Sequence, residues 1–105
     1  MIQLVKKILG IGPKVDLGEL IKQGAIIVDV RSRGEYASGH VNGSVNIPLD
    51  QLSGEIKKLK KKDHPLITCC ASGMRSASAK AILKSKGYTN VHNGGSWFSL
   101  NKYAK

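Results

Sequence analysis

The fold is decided by the stretch Pro65-Leu66-Ile67-Thr68-Cys69 and by the loop that follows it, Cys70-Ala71-Ser72-Gly73-Met74-Arg75. Its first part is a short apolar run of the kind that becomes a buried strand. From Ser76 to Lys86 apolar residues recur with the helical period, and Gly87 ends the pattern. The inward positions of this predicted helix are Ala79, Ile82 and Leu83. The sequence therefore predicts a strand that turns through a small loop into a helix.

The rest of the chain repeats this succession of strands and helices. Residues 25–30 are a nearly unbroken apolar, β-branched run, which is typical of a strand covered on both faces. Shorter strands are predicted at residues 44–48 and 89–92, helices at 16–23 and 49–59, and a polar loop at 31–43. This alternation indicates an α/β domain with a mainly parallel sheet. Ligands of such sheets bind beyond the carboxyl ends of the strands, where the segment after Cys69 lies.

Length and charge limit the function classes. The chain has 105 residues, the size of one compact domain, which we assign to residues 13–105. Its 17 Lys and Arg against 7 Asp and Glu give a net charge of +10, which attracts anions. Five lysines lie close together, at positions 57, 58, 60, 61 and 62. Because no aromatic residue interleaves with them for base stacking, a solvated helix end is favoured over nucleic-acid binding.

Residues 1–12 form an N-terminal amphipathic segment, in which Lys6 and Lys7 interrupt an apolar pattern. The segment is too short to cross a bilayer and lacks a signal-peptide cleavage site. We expect a short helix that packs on the domain, with association at a membrane surface as the alternative. Stable membrane insertion is not expected.

The adjacent cysteines Cys69 and Cys70 cannot link distant parts of a secreted scaffold, so we expect a reducing, cytoplasmic environment. Side chains alternate between the faces of a strand, and the two sulfurs should point to opposite sides. Cys69, inside the strand, is interpreted as a small buried hydrophobic residue. Cys70, at the turn into the helix, is interpreted as reactive. A vicinal disulfide is a strained alternative.

The loop after the strand has the composition of an anion pocket around a nucleophile. A helix N-terminus offers unpaired N–H groups and the positive end of a dipole, which favour the thiolate form of Cys70. Ala71, Ser72 and Gly73 have small side chains that leave the loop open, and Gly73 permits unusual backbone angles. Arg75 adds a permanent positive charge that either braces the loop carbonyls or binds an incoming anion.

Three ordered segments of the chain resemble the single-domain rhodaneses, the thiosulfate sulfurtransferase family. The first runs from Ile27-Val28-Asp29-Val30-Arg31 through Glu35-Tyr36 to Gly39-His40-Val41-Asn42-Gly43-Ser44-Val45-Asn46-Ile47-Pro48. The second is the loop Cys70-Ala71-Ser72-Gly73-Met74-Arg75-Ser76, and the third is Gly87-Tyr88-Thr89-Asn90-Val91 with Gly94-Gly95 and Trp97. The resemblance implies a central, mainly parallel sheet of about five strands, flanked by helices on both faces.

The resemblance also implies a reaction. Cys70 would attack the outer sulfur of a donor such as thiosulfate, become a persulfide, and pass the sulfur to cyanide or a thiol in a ping-pong reaction. The amides of residues 71–75 would stabilise the thiolate and the persulfide. No cofactor is implied; the partners would be a small sulfur-donor anion and a thiol or cyanide acceptor. The alternative is a non-enzymatic module that binds or delivers sulfur to a partner protein.

Loop length and rim residues refine this expectation. Cysteine phosphatases that resemble this fold place five residues between cysteine and arginine, whereas four separate Cys70 from Arg75, so phosphatase activity is the less favoured function. Ala71 stands where many active relatives have a charged or larger polar residue, and Met74 is apolar. The donor could therefore also be a polysulfide, a persulfidated small thiol or a protein persulfide.

The remaining candidates are assigned supporting roles. Asp29, Arg31 and Glu35 are expected to form structural ion pairs, and His40 to be a hydrogen-bonded loop residue and not a base. Trp97 is expected either to wall the substrate groove or to fill the core. His64 and His92 have no metal-ligand spacing with each other or with the cysteines, so no zinc site is expected.

Overall fold

The computed structural model describes residues 16–59 and 61–103, so the predicted segment 1–12 lies outside the described residues. The strands are β1 (Ile26–Asp29), β2 (Val45–Asn46), β3 (Leu66–Cys70) and β4 (Val91–Ser96). The α-helices are α1 (Leu17–Lys22), α2 (Arg33–Ser38), α3 (Leu52–Glu55), α4 (Met74–Ser85) and α5 (Trp97–Leu100). Short 3₁₀ turns cover Leu49–Gln51, Ile56–Lys58 and Asn101–Tyr103.

The strands form one parallel sheet in the order β2-β1-β3-β4, which confirms the predicted α/β class. The prediction of about five strands is wrong, because the sheet has four across residues 16–59 and 61–103. The sequence itself offered four strand segments, and the described segments between them form helices and turns. β4 carries a bulge beside β3: Thr68 pairs with Asn93, but Cys70 pairs with Ser96.

Helices cover both faces of the sheet, as predicted. On one face, Val28 and Leu66 of the sheet pack with Leu52 of α3 and Leu83 of α4, and Cys70 lies in the same cluster. On the other face, side chains of the neighbouring strand positions meet α1 and α5; this cluster contains Ile27, Ile67, Cys69 and Leu100. Adjacent residues of one strand thus enter different cores, which is why the strands are apolar at nearly every position.

The predicted polar loop at residues 31–43 contains the helix α2, which the periodicity did not reveal. None of its residues is buried, so it has no apolar face for a pattern to detect. Its start was nevertheless encoded: Ser32 and Glu35 form a capping box, in which each side chain accepts from the other's backbone N–H. The predicted helix at residues 49–59 also differs, because it is divided into α3 and two 3₁₀ turns.

The close approach at Gly94 gives a test of the packing. A Cβ atom there would lie 2.7 Å from Ile67 Cγ2 and 3.0 Å from the carbonyl oxygen of Thr68. We expect Gly94→Ala to lower the free energy of unfolding by about 1–3 kcal/mol, as overpacked core substitutions do. Gly54→Ala is the matched control, because Gly54 lies in α3 with open space around it; it should raise stability by about 0.5–1 kcal/mol.

Urea unfolding followed by circular dichroism gives both values. An unchanged midpoint for Gly94→Ala would contradict the close packing between β4 and β3.

Candidate active site

The loop after β3 folds back over the sulfur of Cys70. Gly73 adopts φ 103°, a left-handed conformation that favours glycine, and α4 begins at the next residue. The helix therefore starts two residues earlier than the predicted Ser76. The turn directs backbone N–H groups inward: Gly73 N donates to Cys70 Sγ at 2.9 Å, and Ser76 N donates to it at 3.3 Å. The sulfur lies at the base of a ring of donors.

These donors lower the pKa of Cys70. Its side chain is 0% exposed, and this burial by itself raises the pKa. The hydroxyl of Ser76 and the amides of Ser76, Gly73 and Ser72 act in the opposite direction, and together they bring the pKa of Cys70 below its usual value. The site therefore favours the thiolate, which is the nucleophilic form of cysteine.

The rim of the loop is small and apolar. Ala71 and Ser72 are exposed, and Met74 is 79% exposed at the first position of α4. Phe98, 72% exposed, comes two residues after Ser96, which is the register partner of Cys70. The predicted loop residues thus surround the nucleophile without placing a charged side chain at positions 71, 72 or 74.

The contact between Ser76 and Asn93 at the site was not predicted from the sequence. Ser76 is fully buried, and its Oγ lies 2.6 Å from Asn93 Oδ1 and 3.5 Å from Cys70 Sγ, so its single hydroxyl proton is available to either acceptor. Asn93 Nδ2 donates to the Gly73 carbonyl at 3.3 Å, so β4 holds the loop in place. The position of Ser76 in the first helical turn was a signal for its free N–H group. Nothing local pointed to Asn93.

Cys69 occupies the opposite face of the sheet and has different chemistry. It is fully buried in the cluster with Ile67 and Leu100. Burial, with a further contribution from the carboxylate of Asp29, raises the pKa of Cys69 to about 12. Both cysteines are free thiols in the structure. Cys69 therefore stays protonated at neutral pH.

Arg75 pairs with Glu35 of α2 and does not bind the loop carbonyls. Its Nη1 lies 2.8 Å from Glu35 Oε1 and its Nη2 lies 3.0 Å from Oε2, the bidentate geometry that guanidinium and carboxylate prefer. Glu35 also accepts the N–H of Ser32 at 3.1 Å as part of the capping box. Arg75, then Ser32, lower the pKa of Glu35 to about 2. The predicted contact with the loop carbonyls is therefore replaced by an ion pair that ties the loop to α2, and anion binding by Arg75 stays a prediction.

Asp29, the last residue of β1, and Arg31 form a buried ion pair. Arg31 Nε lies 2.9 Å from Asp29 Oδ1, and its Nη2 lies 2.7 Å from Oδ2. The hydrogen bond to Asp29 raises the pKa of Arg31. The guanidinium also donates to the carbonyl oxygens of Glu35 at 3.3 Å and Gly39 at 2.6 Å, so it ties α2 to the sheet.

Trp97 and His40 pack around this pair. Arg31 Cζ lies 4.7 Å from the centre of the Trp97 ring, which also packs on the cluster around Leu100. The structure thus places Trp97 against the core. His40 is exposed, its Nδ1 lies 2.7 Å from the carbonyl oxygen of Tyr36, and its ring stacks on the Tyr36 ring with centroids 3.7 Å apart.

The other two histidines bind backbone or side-chain oxygens. His64 Nε2 lies 2.8 Å from the Gly24 carbonyl, and His92 Nε2 lies 2.7 Å from Asn90 Oδ1. In the described part of the chain, no three His, Cys, Asp or Glu side chains come together as a metal site. The helices in that same part are all too short or too polar to span a bilayer.

Comparison with known proteins agrees with this geometry. The model of the Rhodanese-like domain family matches residues 14–98, and the chain belongs to that family. Thiosulfate sulfurtransferase GlpE of Pseudomonas fluorescens (strain SBW25) is 35% identical over 81 residues, which cover 77% of this chain and 73% of the relative. With such relatives, the protein is an enzyme of the rhodanese-type sulfurtransferase class.

Solved structures show the same relationship. The human single-domain sulfurtransferase TSTD1 superposes with a TM-score of 0.71 at 28% identity, covering 85% of this chain and 92% of that one. A rhodanese with anions from E. coli gives a TM-score of 0.68 at 34% identity, covering 71% of this chain and 89% of the other. The fold of the chain is therefore shared with solved members of the family.

Reactivity of the two cysteines tests the electrostatics of the loop. We expect the rate of Cys70 alkylation by iodoacetamide to rise with pH and level off with a midpoint below about 8.5, the value of a free thiol. Ser76→Ala removes the hydroxyl that contributes most to lowering the pKa, so its midpoint should move upward. Cys69 should stay unmodified throughout. Mass spectrometry of the labelled peptide gives the alkylation rates of Cys70 and Cys69. A midpoint at or above about pH 8.5 for Cys70 of the wild type would contradict the proposed ring of donors.

The Glu35–Arg75 pair predicts an acid-dependent contribution to stability. Because the folded pKa of Glu35 is depressed to about 2, the contribution is fully present above about pH 4.5 and is lost as the pH falls through 2. Carbon NMR of the carboxyl group should show this low pKa, and Arg75→Gln should move it toward about 4.3. The stability difference between the two proteins should shrink in acid. A wild-type Glu35 that titrates near 4.3 would refute the pairing in solution.

Proposed function

We propose that the protein transfers sulfane sulfur through a persulfide on Cys70. The observation that carries this proposal is the pair of N–H groups, from Gly73 and Ser76, aimed at Cys70 Sγ at 2.9 and 3.3 Å. Fixed donors of this kind stabilise a thiolate before it reacts and again when it leaves. A nucleophile that is regenerated as a thiolate in each cycle needs both effects.

In the first half-reaction the Cys70 thiolate attacks the outer sulfur of the donor. With thiosulfate, the sulfur–sulfur bond of the donor breaks, sulfite leaves with the electron pair, and Cys70 becomes a persulfide. In the second half-reaction a thiolate or cyanide attacks the outer sulfur of the persulfide. The bond to Cys70 breaks, its electron pair returns to Sγ, and the product is an acceptor persulfide or thiocyanate. Ping-pong kinetics follow from this order.

The surroundings of Cys70 support sulfur as the cargo. The side chain is fully buried at the base of the loop, which favours a small reacting atom such as a terminal sulfur. The net charge of +10 draws anionic donors toward the protein. The apolar rim at Ala71 and Met74 suits polysulfides and organic persulfides as well as thiosulfate.

The mass of the intermediate tests the proposal. After incubation with thiosulfate, polysulfide or persulfidated glutathione, the intact protein should gain one sulfur, about 32 Da, located on the Cys70 peptide. Cys70→Ser should gain nothing, and Cys69→Ser should load like the wild type, because Cys69 lies on the other face of the sheet. Failure of all three donors to produce the adduct would overturn the proposed function.

A further inference from the structure

We propose that Asn93 is a positioning residue for sulfur transfer, which acts through Ser76 and not by contact with the reacting atoms. Its side chain holds the Ser76 hydroxyl beside Cys70 Sγ and accepts the hydroxyl proton while Cys70 carries the persulfide. This inference rests on the proposed function. Asn93 lies on β4, an edge strand of the sheet, and is exposed, whereas Ser76 is fully buried in α4. The pair thus connects the surface with the base of the active loop.

The Ser76 hydroxyl has one proton and three acceptors within reach. Its Oγ lies 2.6 Å from Asn93 Oδ1, 3.0 Å from the Gly73 carbonyl oxygen and 3.5 Å from Cys70 Sγ. A hydroxyl proton rotates about the carbon–oxygen bond to suit its acceptors. The strongest acceptor of the three therefore takes the proton, and which one is strongest depends on the charge of the sulfur.

The charge of the sulfur changes during the catalytic cycle. A thiolate is an ionised acceptor, and hydrogen bonds to ionised groups are about twice as strong as neutral ones, so the Ser76 hydroxyl turns to Sγ before the reaction. In the persulfide, Sγ is bonded to the transferred sulfur and is a weak acceptor, and Asn93 Oδ1, at the shortest distance, takes the proton. When the acceptor removes the outer sulfur, the electron pair returns to Sγ and the hydroxyl turns back. Ser76 keeps all its covalent bonds throughout.

Asn93 is itself fixed in the orientation that this role needs. Its Oδ1 also accepts the N–H of Gly95 at 2.9 Å, and its Nδ2 donates to the Gly73 carbonyl oxygen at 3.3 Å. With oxygen and nitrogen exchanged, the amide would set a donor against the Gly95 N–H and an oxygen against the Gly73 oxygen, so the network selects one orientation. The β-bulge after Asn93 supports the role, because bulges redirect side chains next to active sites.

The two half-reactions should depend on the Ser76 hydroxyl in opposite ways. In loading, Sγ gives up its charge as it attacks the donor, so the hydrogen bond from Ser76 weakens on the way to the transition state. In unloading, charge returns to Sγ and the same bond strengthens, which accelerates this step. Loss of the hydroxyl should therefore lower the ratio of the unloading rate to the loading rate. A loop that is merely distorted would slow both steps and leave the ratio near its wild-type value.

Single-turnover kinetics of the full chain measure this ratio. Thiosulfate loads Cys70, cyanide unloads it, and mass spectrometry of quenched samples follows the gain and loss of about 32 Da. At about pH 9.5, above the free-thiol pKa of about 8.5, the ratio depends little on the ionised fraction of Cys70. We expect the ratio to fall about 3- to 10-fold in Ser76→Ala and about 2- to 5-fold in Asn93→Ala.

The double variant shows whether Asn93 acts through Ser76. Residues that act as one unit give non-additive effects, so Ser76→Ala combined with Asn93→Ala should lower the ratio no further than Ser76→Ala alone. Asn90→Ala is the matched control. Asn90 is the same residue type just before the other end of β4, where its carbonyl oxygen accepts the N–H of Leu66 at 2.9 Å, and its variant should keep the wild-type ratio.

The pH dependence of Cys70 alkylation gives a second readout. In Asn93→Asp the carboxylate, an ionised acceptor of nearly the same shape, keeps the Ser76 proton away from Sγ. The alkylation midpoint of Cys70 should therefore rise. The rise should be smaller when Ser76→Ala is also present, because only the repulsion between the carboxylate and the thiolate is then left.

The outcomes separate this inference from the proposed function. If thiosulfate, polysulfide and persulfidated glutathione all fail to load Cys70, the proposed function fails and the inference falls with it. If Cys70 loads but the variants of Ser76 and Asn93 keep the wild-type ratio, their effects multiply in the double variant, or Asn90→Ala lowers the ratio equally, the positioning role is overturned while the persulfide reaction stands. An equal rise of the Asn93→Asp midpoint with and without the Ser76 hydroxyl would overturn it as well.

Discussion

The buried ion pair between Asp29 and Arg31 fixes the position of the helix that braces the active loop. Helix α2 buries none of its own residues, so polar contacts hold it on the sheet, among them the bonds from Arg31 to the carbonyls of Glu35 and Gly39. Held there, α2 presents Glu35 to Arg75 at the end of the loop. Removing one partner of a buried pair typically costs about 3–5 kcal/mol, because it leaves the other charge uncompensated. The geometry of the loop therefore depends on a buried charge pair outside the loop itself.

Two adjacent cysteines acquire opposite chemistry from the faces of one strand. Cys69 points into an apolar cluster near a carboxylate, and its pKa rises to about 12. Cys70 points to the other face, where the chain turns into α4 and the amides of Gly73 and Ser76 meet the sulfur, and its pKa falls. Neither side chain is exposed, so the difference has two causes: desolvation dominates for Cys69, whereas the fixed donors outweigh it for Cys70.

Much of the fold was predictable because buried apolar residues recur with the period of the helix or strand that contains them. The strand before Cys70, the helix after it and the helix over residues 16–23 follow apolar patterns, and the structure places an element at each. The helix α2 was not predicted, because none of its residues is buried and it therefore has no apolar face. Its start was nevertheless encoded by the capping box of Ser32 and Glu35. The number of strands also differed: the value of about five came from the resemblance, whereas the residues themselves predicted four strand segments.

For the site, the sequence by itself determined the nucleophile candidate and its loop, because Cys70, Gly73 and Arg75 are neighbours in the chain and a strand-to-helix turn is local. Only the tertiary structure decided which groups surround them. Glu35 lies 40 positions from Arg75 and Asn93 lies 17 from Ser76, and their contacts exist because β3 lies between β1 and β4 in the sheet. The reactive group and its loop are encoded by neighbouring residues, whereas the groups that hold the loop in place depend on the order of the strands in the sheet.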